Sequence, residues 1–520
     1  MKRIHQLTII AVAFVAIAPQ GFAQQRDSER SALVRLLQKK GIITEQEASR
    51  ISDSEPAGQA DRRLAELLLS KGVISRQEYD QAFAAPGPVS NPSDPTEPRL
   101  ATAAAHIPEP TKETALGNAT TPGATSSVQP QAEGSMTTVS KIPVKIYGSI
   151  LFNGNYVSHG ANTIDIPLFP QKRGTSPDQN HQNFNTTLRQ TRFGLRYEGQ
   201  IFESAKLTGV FEFDLLGGKP AFANGANFDI FRVRLAYGRI DWKNDSLEAG
   251  QDWAVFSPLN PTSLASYAIP GFSTSGNLWN RMPQIRYEHR KGEKAKFIFT
   301  TALLDPNAGD NAGNPAVRVI GLGERGSMPS FETRLGFTAP SHGRESSAGV
   351  SGHYSRLLGV SGNPVGTTAR SPIDSYGVSV DANLWLSSGF RFTAEAFHGR
   401  ALGIFSGNIA QTAAVIGGRA RGINSSGGWL ELHGEAPTGY QGTLKSVSAN
   451  FGYGIEDNRD QDLVVGLRKR NQTYMMNGQY KVSPNFTVAL EYRRVLTDWF
   501  GEPASNQKLN WASLGFLYSF

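Results

Sequence analysis

The chain has 520 residues, with 52 Lys and Arg against 45 Asp and Glu for a formal charge of +7, no cysteine, and 39% apolar residues alongside 54 glycines. The lack of cysteine excludes a disulfide framework and thiolate metal sites. The basic residues are single arginines set within apolar alternation rather than runs, which argues against a nucleic-acid surface, and no stretch beyond residue 23 reaches the roughly eighteen apolar residues of a membrane-crossing helix.

Residues 1–23 carry Lys2 and Arg3, an apolar run from Leu7 to Ala18, and then Gly21-Phe-Ala23. That order is a signal peptide, so the exported chain is expected to begin at Gln24. Within 24–83, Leu36-Leu-Gln-Lys-Lys-Gly41-Ile-Ile-Thr44-Glu-Gln-Glu47 returns as Leu67-Leu-Leu-Ser-Lys-Gly72-Val-Ile-Ser75-Arg-Gln-Glu78. Each copy reads as a helix closed by glycine, followed by a capping box, Thr44 with Glu47 and Ser75 with Glu78. The expectation is a small α-helical periplasmic arm, either a self-contained bundle or a contact to the cell wall. Residues 84–140 are rich in Pro, Ala, Thr and Ser without periodicity, the composition of a disordered linker.

From 141 to 520 the pattern changes to sixteen β-strands, predicted at 142–157, 188–199, 206–216, 230–241, 246–252, 282–291, 294–304, 330–339, 345–356, 373–386, 390–399, 428–435, 442–454, 470–481, 485–497 and 508–520. Every second connection is short and the others are long and rich in Gly, Asn, Ser and Pro. Short turns on one side, long loops on the other and an even strand count define an all-β transmembrane barrel of the outer-membrane kind, closed without edges.

Period-2 alternation then sorts the side chains. Phe193, Leu195 and Tyr197, Phe211, Phe213 and Leu215, Phe231, Val233, Leu235 and Tyr237, and Leu335 and Phe337 are predicted to face lipid. Opposite them fall Arg192, Arg196, Arg232, Arg234, Arg286, Arg290, Arg334, Arg391 and Arg493 with Lys206, against Glu198, Glu212, Asp214, Glu288, Glu332, Glu395 and Glu491. An ionised side chain facing mid-bilayer lipid costs about 2–4 kcal/mol, so these residues are expected inside, where they give a modest positive balance. Either the arginines capture carboxylate or phosphate through their planar, two-pronged donors, or they pair with the glutamates and stiffen the wall. The last strand, ending Gly515-Phe-Leu-Tyr-Ser-Phe520, has Ala512, Leu514, Phe516, Tyr518 and Phe520 on one face. A soluble sandwich would also tolerate this strand, but not the segregation of its loops.

The segments Phe231-Arg-Val-Arg-Leu-Ala-Tyr-Gly238, Ala249-Gly-Gln-Asp-Trp-Ala-Val-Phe256 and Arg281-Met-Pro-Gln-Ile-Arg-Tyr-Glu288 resemble the DcaP-like outer-membrane porins, relatives of the phosphate-selective porins. The resemblance implies a sixteen-stranded homotrimeric porin passing small anionic solutes, with the loop Asp252 to Asn280, stiffened by Pro258, Pro261 and Pro270, folded inward as a constriction rather than left outside. Terminal Phe520 would be read by the barrel-assembly machinery. Members of that group carry an amino-terminal coiled coil, whereas the repeat here is interrupted by Gly41 and Gly72.

The expected function is passive diffusion of small anions, dicarboxylates or phosphate-like, across a bacterial outer membrane with lipid and lipopolysaccharide as surroundings; the alternative is a structural anchor to the cell wall through the amino-terminal arm. No catalytic grouping, metal site or cofactor is expected: there is no nucleophile elbow or P-loop, and the histidines are scattered singly. The run Asp457-Asn-Arg-Asp460-Gln-Asp462 reads as either a calcium site or a solvated loop tip.

Overall fold

A computed structural model describes residues 43–44, 47, 57–71, 135–137, 143–172, 181–202, 204–218, 229–309, 320–503 and 506–520. It divides into two units, Met1–Ala115 and Leu116–Phe520.

In the first unit, helix α1 spans Ala57–Ser70. Ala65 is buried against Leu68 and Leu69, and the helix ends as the amide of Lys71 and the hydroxyl of Ser70 both donate to the carbonyl of Leu67, at 3.1 and 2.8 Å. The first capping box is formed. Glu47 accepts from the amide and the hydroxyl of Thr44 at 2.7 and 2.9 Å, and Thr44 Oγ1 accepts from the amide of Glu47 at 3.3 Å. Lys71 Nζ stands 2.9 Å from the same carboxylate. The expected signal peptide, Gly41, Gly72, and the second box expected at Ser75 and Glu78 lie outside the described residues.

The second unit is a closed antiparallel barrel of sixteen strands. In chain order these are β1 (Pro143–Val157), β2 (Asn183–Thr187 continued by Arg192–Phe202), β3 (Ala205–Gly218), β4 (Ile230–Asp241), β5 (Asp245–Trp253), β6 (Arg281–Lys291), β7 (Lys296–Leu304), β8 (Ser330–Ser341), β9 (Arg344–Gly359), β10 (Ser371–Ser387), β11 (Phe390–Arg400), β12 (Asn424–Glu435), β13 (Val447–Asn458), β14 (Arg468–Ser483), β15 (Phe486–Trp499) and β16 (Asn506–Ser519). Each pairs with its neighbours, and β1 pairs with β16 from Ser149↔Ser519 to Val157↔Trp511, which closes the ring. Phe520 completes the seam, exchanging backbone hydrogen bonds with Gly148 at 3.0 and 3.1 Å. Below that point β1 stays paired with β2 on one side but no longer with β16 on the other. The short strand Ser135–Thr137, taken in sequence as linker, pairs with Pro143–Lys145 and covers the open edge.

Three expectations need correction. The second strand is not continuous: it breaks between Thr187 and Arg192, and the break turns Gln190 into the interior, where it is fully buried. Residues 442–446 are not strand; Thr443–Ser446 form a 3-10 turn and β13 begins at Val447. The third correction concerns β4. Val233 pairs with Phe213, but Leu235 pairs with Glu212, so Arg234 is an extra residue, a β-bulge. A one-residue slip sends every later side chain to the opposite face. Leu235 and Tyr237, expected to face lipid, therefore point inward with Glu212 and Val210, and Arg239 turns inward as well. The bulge frees the carbonyls of Val233 and Arg234, and outward-facing Gln251 of β5 donates to both, at 2.9 and 3.1 Å.

The outer face is a belt of exposed large apolar side chains, among them Phe193, Leu195, Phe211, Phe331, Leu335, Phe337, Val378, Val380, Leu490 and Leu514. A belt this continuous is the surface of a barrel that crosses a bilayer. Many of the buried residues are polar, including Asp214, Glu332, Glu431 and Thr497 at 0% exposure, as expected where the interior rather than the outer face carries the polar side chains.

Two outcomes follow. Leu335→Arg, at a site 60% exposed between Phe331 and Phe337, is expected to cost about 2–4 kcal/mol in equilibrium unfolding from lipid vesicles; no loss would mean that β8 does not face lipid. Separately, the Thr44 amide and Lys71 hold the Glu47 carboxyl down from 4.5 to about 2. Since the folded value is the lower one, the cap is at full strength above the ordinary carboxylate range and is lost as pH falls through about 2. Carboxyl NMR titration should show this, and Thr44→Ala should move the midpoint upward.

Candidate functional site

Trp253 ends β5 and Arg281 begins β6, so the segment that turns into the barrel is 254–280. Asp252, expected in it, is instead a strand residue 3.2 Å from Arg286. A backbone that leaves a strand carries unpaired amides into the interior, and these need acceptors. The wall supplies them as carboxylates. Glu332 of β8 accepts from the amides of Val255 and Phe256 at 2.7 and 3.0 Å. Glu395 of β11 accepts from the amide of Leu259 at 2.9 Å, the hydroxyl of Ser257 at 3.2 Å and the indole of Trp429 at 3.0 Å. Glu431 of β12 takes the amide and hydroxyl of Thr262, at 2.6 and 2.9 Å, and Glu491 of β15 takes the hydroxyl of Ser263 at 2.6 Å.

Amide side chains continue the series on the remaining wall. Asn477 donates to the carbonyl of Thr262 at 2.8 Å, and Gln190, exposed to the interior by the break in β2, donates to the carbonyl of Ala265 at 2.8 Å and accepts from the amide of Ala268 at 2.9 Å. Apolar packing fixes the rest. Phe256 and Leu278 share a buried cluster with Met282, Leu402 and Phe405. Phe272 stacks on Trp429 with ring centres 5.8 Å apart, in a hollow that exists because Gly452 and Gly454 lack side chains: a Cβ there would lie 2.6 or 2.8 Å from the ring. Ser257, Phe272 and Thr274 hold positive φ, strain that persists only where the surroundings dictate the path. Pro258, Pro261 and Pro270 lie on this segment, and Asn280 closes it by donating to the carbonyl of Ile404 at 2.8 Å.

The segment brings arginines of the facing wall together. Arg192 of β2 donates to the carbonyl of Tyr267 and stands over its ring, 3.6 Å from the centre. Arg232 and Arg234 of β4 reach the next carbonyl, Ala268, at 3.2 and 3.4 Å. Arg281 of β6, which sequence reasoning quoted but did not select, reaches it too, at 3.1 Å, and stacks against Trp253 and Trp279. Four guanidiniums thus converge on two consecutive carbonyls. Two carboxylates face them: Asp214 grips Arg232 at 3.0 and 2.6 Å and meets Arg234 at 3.1 Å, and Glu212 accepts from Arg234 at 2.6 Å. Arg192 Nε and Arg281 Nη1 are buried with no protein acceptor. Beside them lies a cavity of about 500 Å3 lined by Arg192, Arg196, Glu212, Arg234, Tyr237 and Tyr267 among others.

The other arginines selected from sequence are inside the barrel, each bound to the wall; Arg196 lines the same cavity, and the rest stand apart from it. Arg196 meets Glu198 at 2.7 Å. Arg286 is held by Asp252, Gln284 and the carbonyl of Trp253. Arg334 grips Asp381 with two donors at 3.1 and 2.6 Å. Arg391 donates to Glu431 at 3.1 Å and Thr262 at 2.9 Å, and Arg493 to Glu491 at 2.6 Å and Ser263 at 3.0 Å. Sequence reasoning missed Arg239, which joins Asp241, Glu248 and Glu288; only the bulge puts it inside. The carboxylates of Asp457, Asp460 and Asp462 diverge to Arg470, Lys469 and Asn424, so they do not converge on one point.

Glu332→Ala removes the acceptor for two buried amides, at a cost of about 1–3 kcal/mol each. Val255 and Phe256 should then exchange their amide hydrogens faster while the barrel strands stay protected, a result hydrogen exchange with mass spectrometry would register. Unchanged protection would mean that this carboxylate does not hold the segment.

No family model and no curated protein matches the chain. Among solved structures, the outer membrane channel DcaP of Acinetobacter baumannii superposes with a TM-score of 0.56 at 18% identity, over 75% of this chain and 100% of that one. An anion-selective porin from Comamonas acidovorans (TM-score 0.45, 13% identity, 72% of this chain and 99% of that one) and Salmonella typhi OmpF (0.45, 12%, 74% and 100%) are more distant. What the first likeness shows is the fold: the chain is built as a closed sixteen-stranded antiparallel barrel, the architecture of the outer-membrane channel DcaP.

Proposed function

We propose that the chain is a porin of the bacterial outer membrane, DcaP-like, through which small solutes diffuse passively with a preference for anions. The observation that carries this is the convergence of Arg192, Arg232, Arg234 and Arg281 beside an open cavity, four guanidiniums against Glu212 and Asp214 alone. In this reading 254–280 is the constriction and the arginines opposite it are the anion contacts. An anion entering a narrow, weakly solvated passage loses part of its hydration, and fixed N–H donors replace it at no cost in reorganisation. Guanidinium offers two parallel donors to a carboxylate or phosphate. Arg196 and Arg232, the more exposed members, make first contact, whereas Arg286, Arg334, Arg391 and Arg493 support the wall and the segment.

The arm of residues 24–83 would then lie in the periplasm, tethered by 84–140, with lipopolysaccharide around the long-loop end, Phe520 presented to the assembly machinery, and three copies forming the working unit; the trimer rests on the family resemblance alone.

In planar bilayers under a potassium chloride gradient, the reversal potential should indicate chloride preference at low salt that fades at high salt, as screening requires. Arg196→Gln with Arg232→Gln should shift it toward zero. Cation preference at low salt would overturn the assignment, and a protein that inserts without conducting would favour the anchor alternative.

A further inference from the structure

His353 of β9 is a buried titratable group that takes no part in the anion contacts. We propose that it is a positioning residue, a brace that in its doubly protonated form ties the inward segment 254–280 to a second inward segment and loosens both as it loses a proton.

The second segment, residues 401–410, follows β11 and lies against the first. The carbonyl of Phe405 accepts from the amide of Trp279 at 3.1 Å, and the Phe405 ring shares a buried cluster with Phe256 and Leu278. The side chain of His353 stands where the two segments meet, only 1% exposed. Its ring lies 4.8 Å from that of Phe405, edge to face, and 5.8 Å from that of Phe256.

The partners of the two ring nitrogens select a protonation state. Nε2 is 3.4 Å from the hydroxyl of Ser375 on β10, and that hydroxyl donates its one proton to the carbonyl of Ala401 at 3.0 Å, where the second segment begins. The oxygen is left to accept, so Nε2 carries a proton. Nδ1 faces Oε1 of Glu332 at 3.4 Å, and neither atom has another partner among the described residues. A bare Nδ1 would set two acceptors against each other, whereas a second proton makes the contact an ion pair. Both contacts are therefore complete only in the imidazolium, whose charge suits a place beside two aromatic rings.

Glu332 holds the amides of Val255 and Phe256 through its other oxygen. The imidazolium thus steadies the first segment through Glu332 and the second through Ser375. Among the described residues Glu332 is the one charged group within ion-pair distance of His353. The next wall carboxylates are taken, Asp381 by Arg334 and Glu395 by Leu259, Ser257 and Trp429; Phe256, Phe405 and Ser375 bring no charge. Histidine side chains change charge between about pH 5 and 8, so the brace is present at the acid end of that range and lost toward the alkaline end. Its consequence for the passage rests on the channel reading above.

The test is amide exchange of Val255, Phe256 and Phe405, corrected for intrinsic rates and read against strand amides of the same barrel at about pH 5 and 8. In the wild type, protection of these three should fall by roughly fivefold from the acid to the alkaline condition, while the strands stay level. His353→Gln and Glu332→Gln should each remove the step, with acid protection as low as alkaline. His398→Gln, at an exposed position, should keep it. A flat wild type overturns the brace whatever the variants do, and so does a step that survives His353→Gln. Single-channel current recorded alongside should fluctuate more at the alkaline end. A step in exchange with no change in current would instead overturn the reading of 254–280 as the constriction.

Discussion

The structure depends on one reciprocal demand. A backbone segment that leaves the sheet and enters the barrel brings amides that have lost their strand partners, and a wall that carries carboxylates inward has charges that water reaches poorly. Either alone is expensive, since a buried unpaired amide costs about 1–3 kcal/mol and a buried unpaired charge more. Glu332, Glu395 and Glu431 meet the amides of Val255, Phe256, Leu259 and Thr262, and each group removes the other's penalty. The segment is therefore held by the same residues whose charge it absorbs.

That exchange also sets the electrostatics. On the wall from β8 to β15, Glu332, Glu395, Glu431 and Glu491 are occupied by the segment, and Arg334, Arg391 and Arg493 take Asp381, Glu431 and Glu491. On the wall from β2 to β6, arginines outnumber the carboxylates that face them, and the surplus is drawn to the carbonyls of Tyr267 and Ala268. The asymmetry arises from where the segment runs, not from the chain's net charge. An anion preference, as proposed, would follow from this local imbalance.

Most of the fold was legible because both physical signals were strong: period-2 alternation for strands and the regular exchange of short turns with long loops for closure. β4 was placed at 230–241, as found. Its interior was misassigned beyond Arg234 because a bulge leaves no mark on composition; Leu235 and Tyr237 are apolar enough for either face, and only pairing across β3 and β4 reveals the slip. The same slip hid Arg239. Site residues were legible as inward arginines, but not which of them are neutralised, since Glu431 on the strand beside Arg391 and Asp381 two strands from Arg334 are recognised as partners only once the register of the sheet is known. Arg281 sits at a strand boundary, where alternation gives no direction.

As proposed, residues 254–280, pinned to wall carboxylates, limit the width of the passage. Exclusion of neutral polyethylene glycols of graded size from the single channel measures that width most directly. Comparison of the wild type with Glu332→Ala, Glu395→Ala and Glu431→Ala combined should show a larger size cut-off in the triple variant together with higher conductance. An unchanged cut-off in a variant whose segment has been released, as judged by its hydrogen exchange, would contradict the account and place the narrowest point elsewhere.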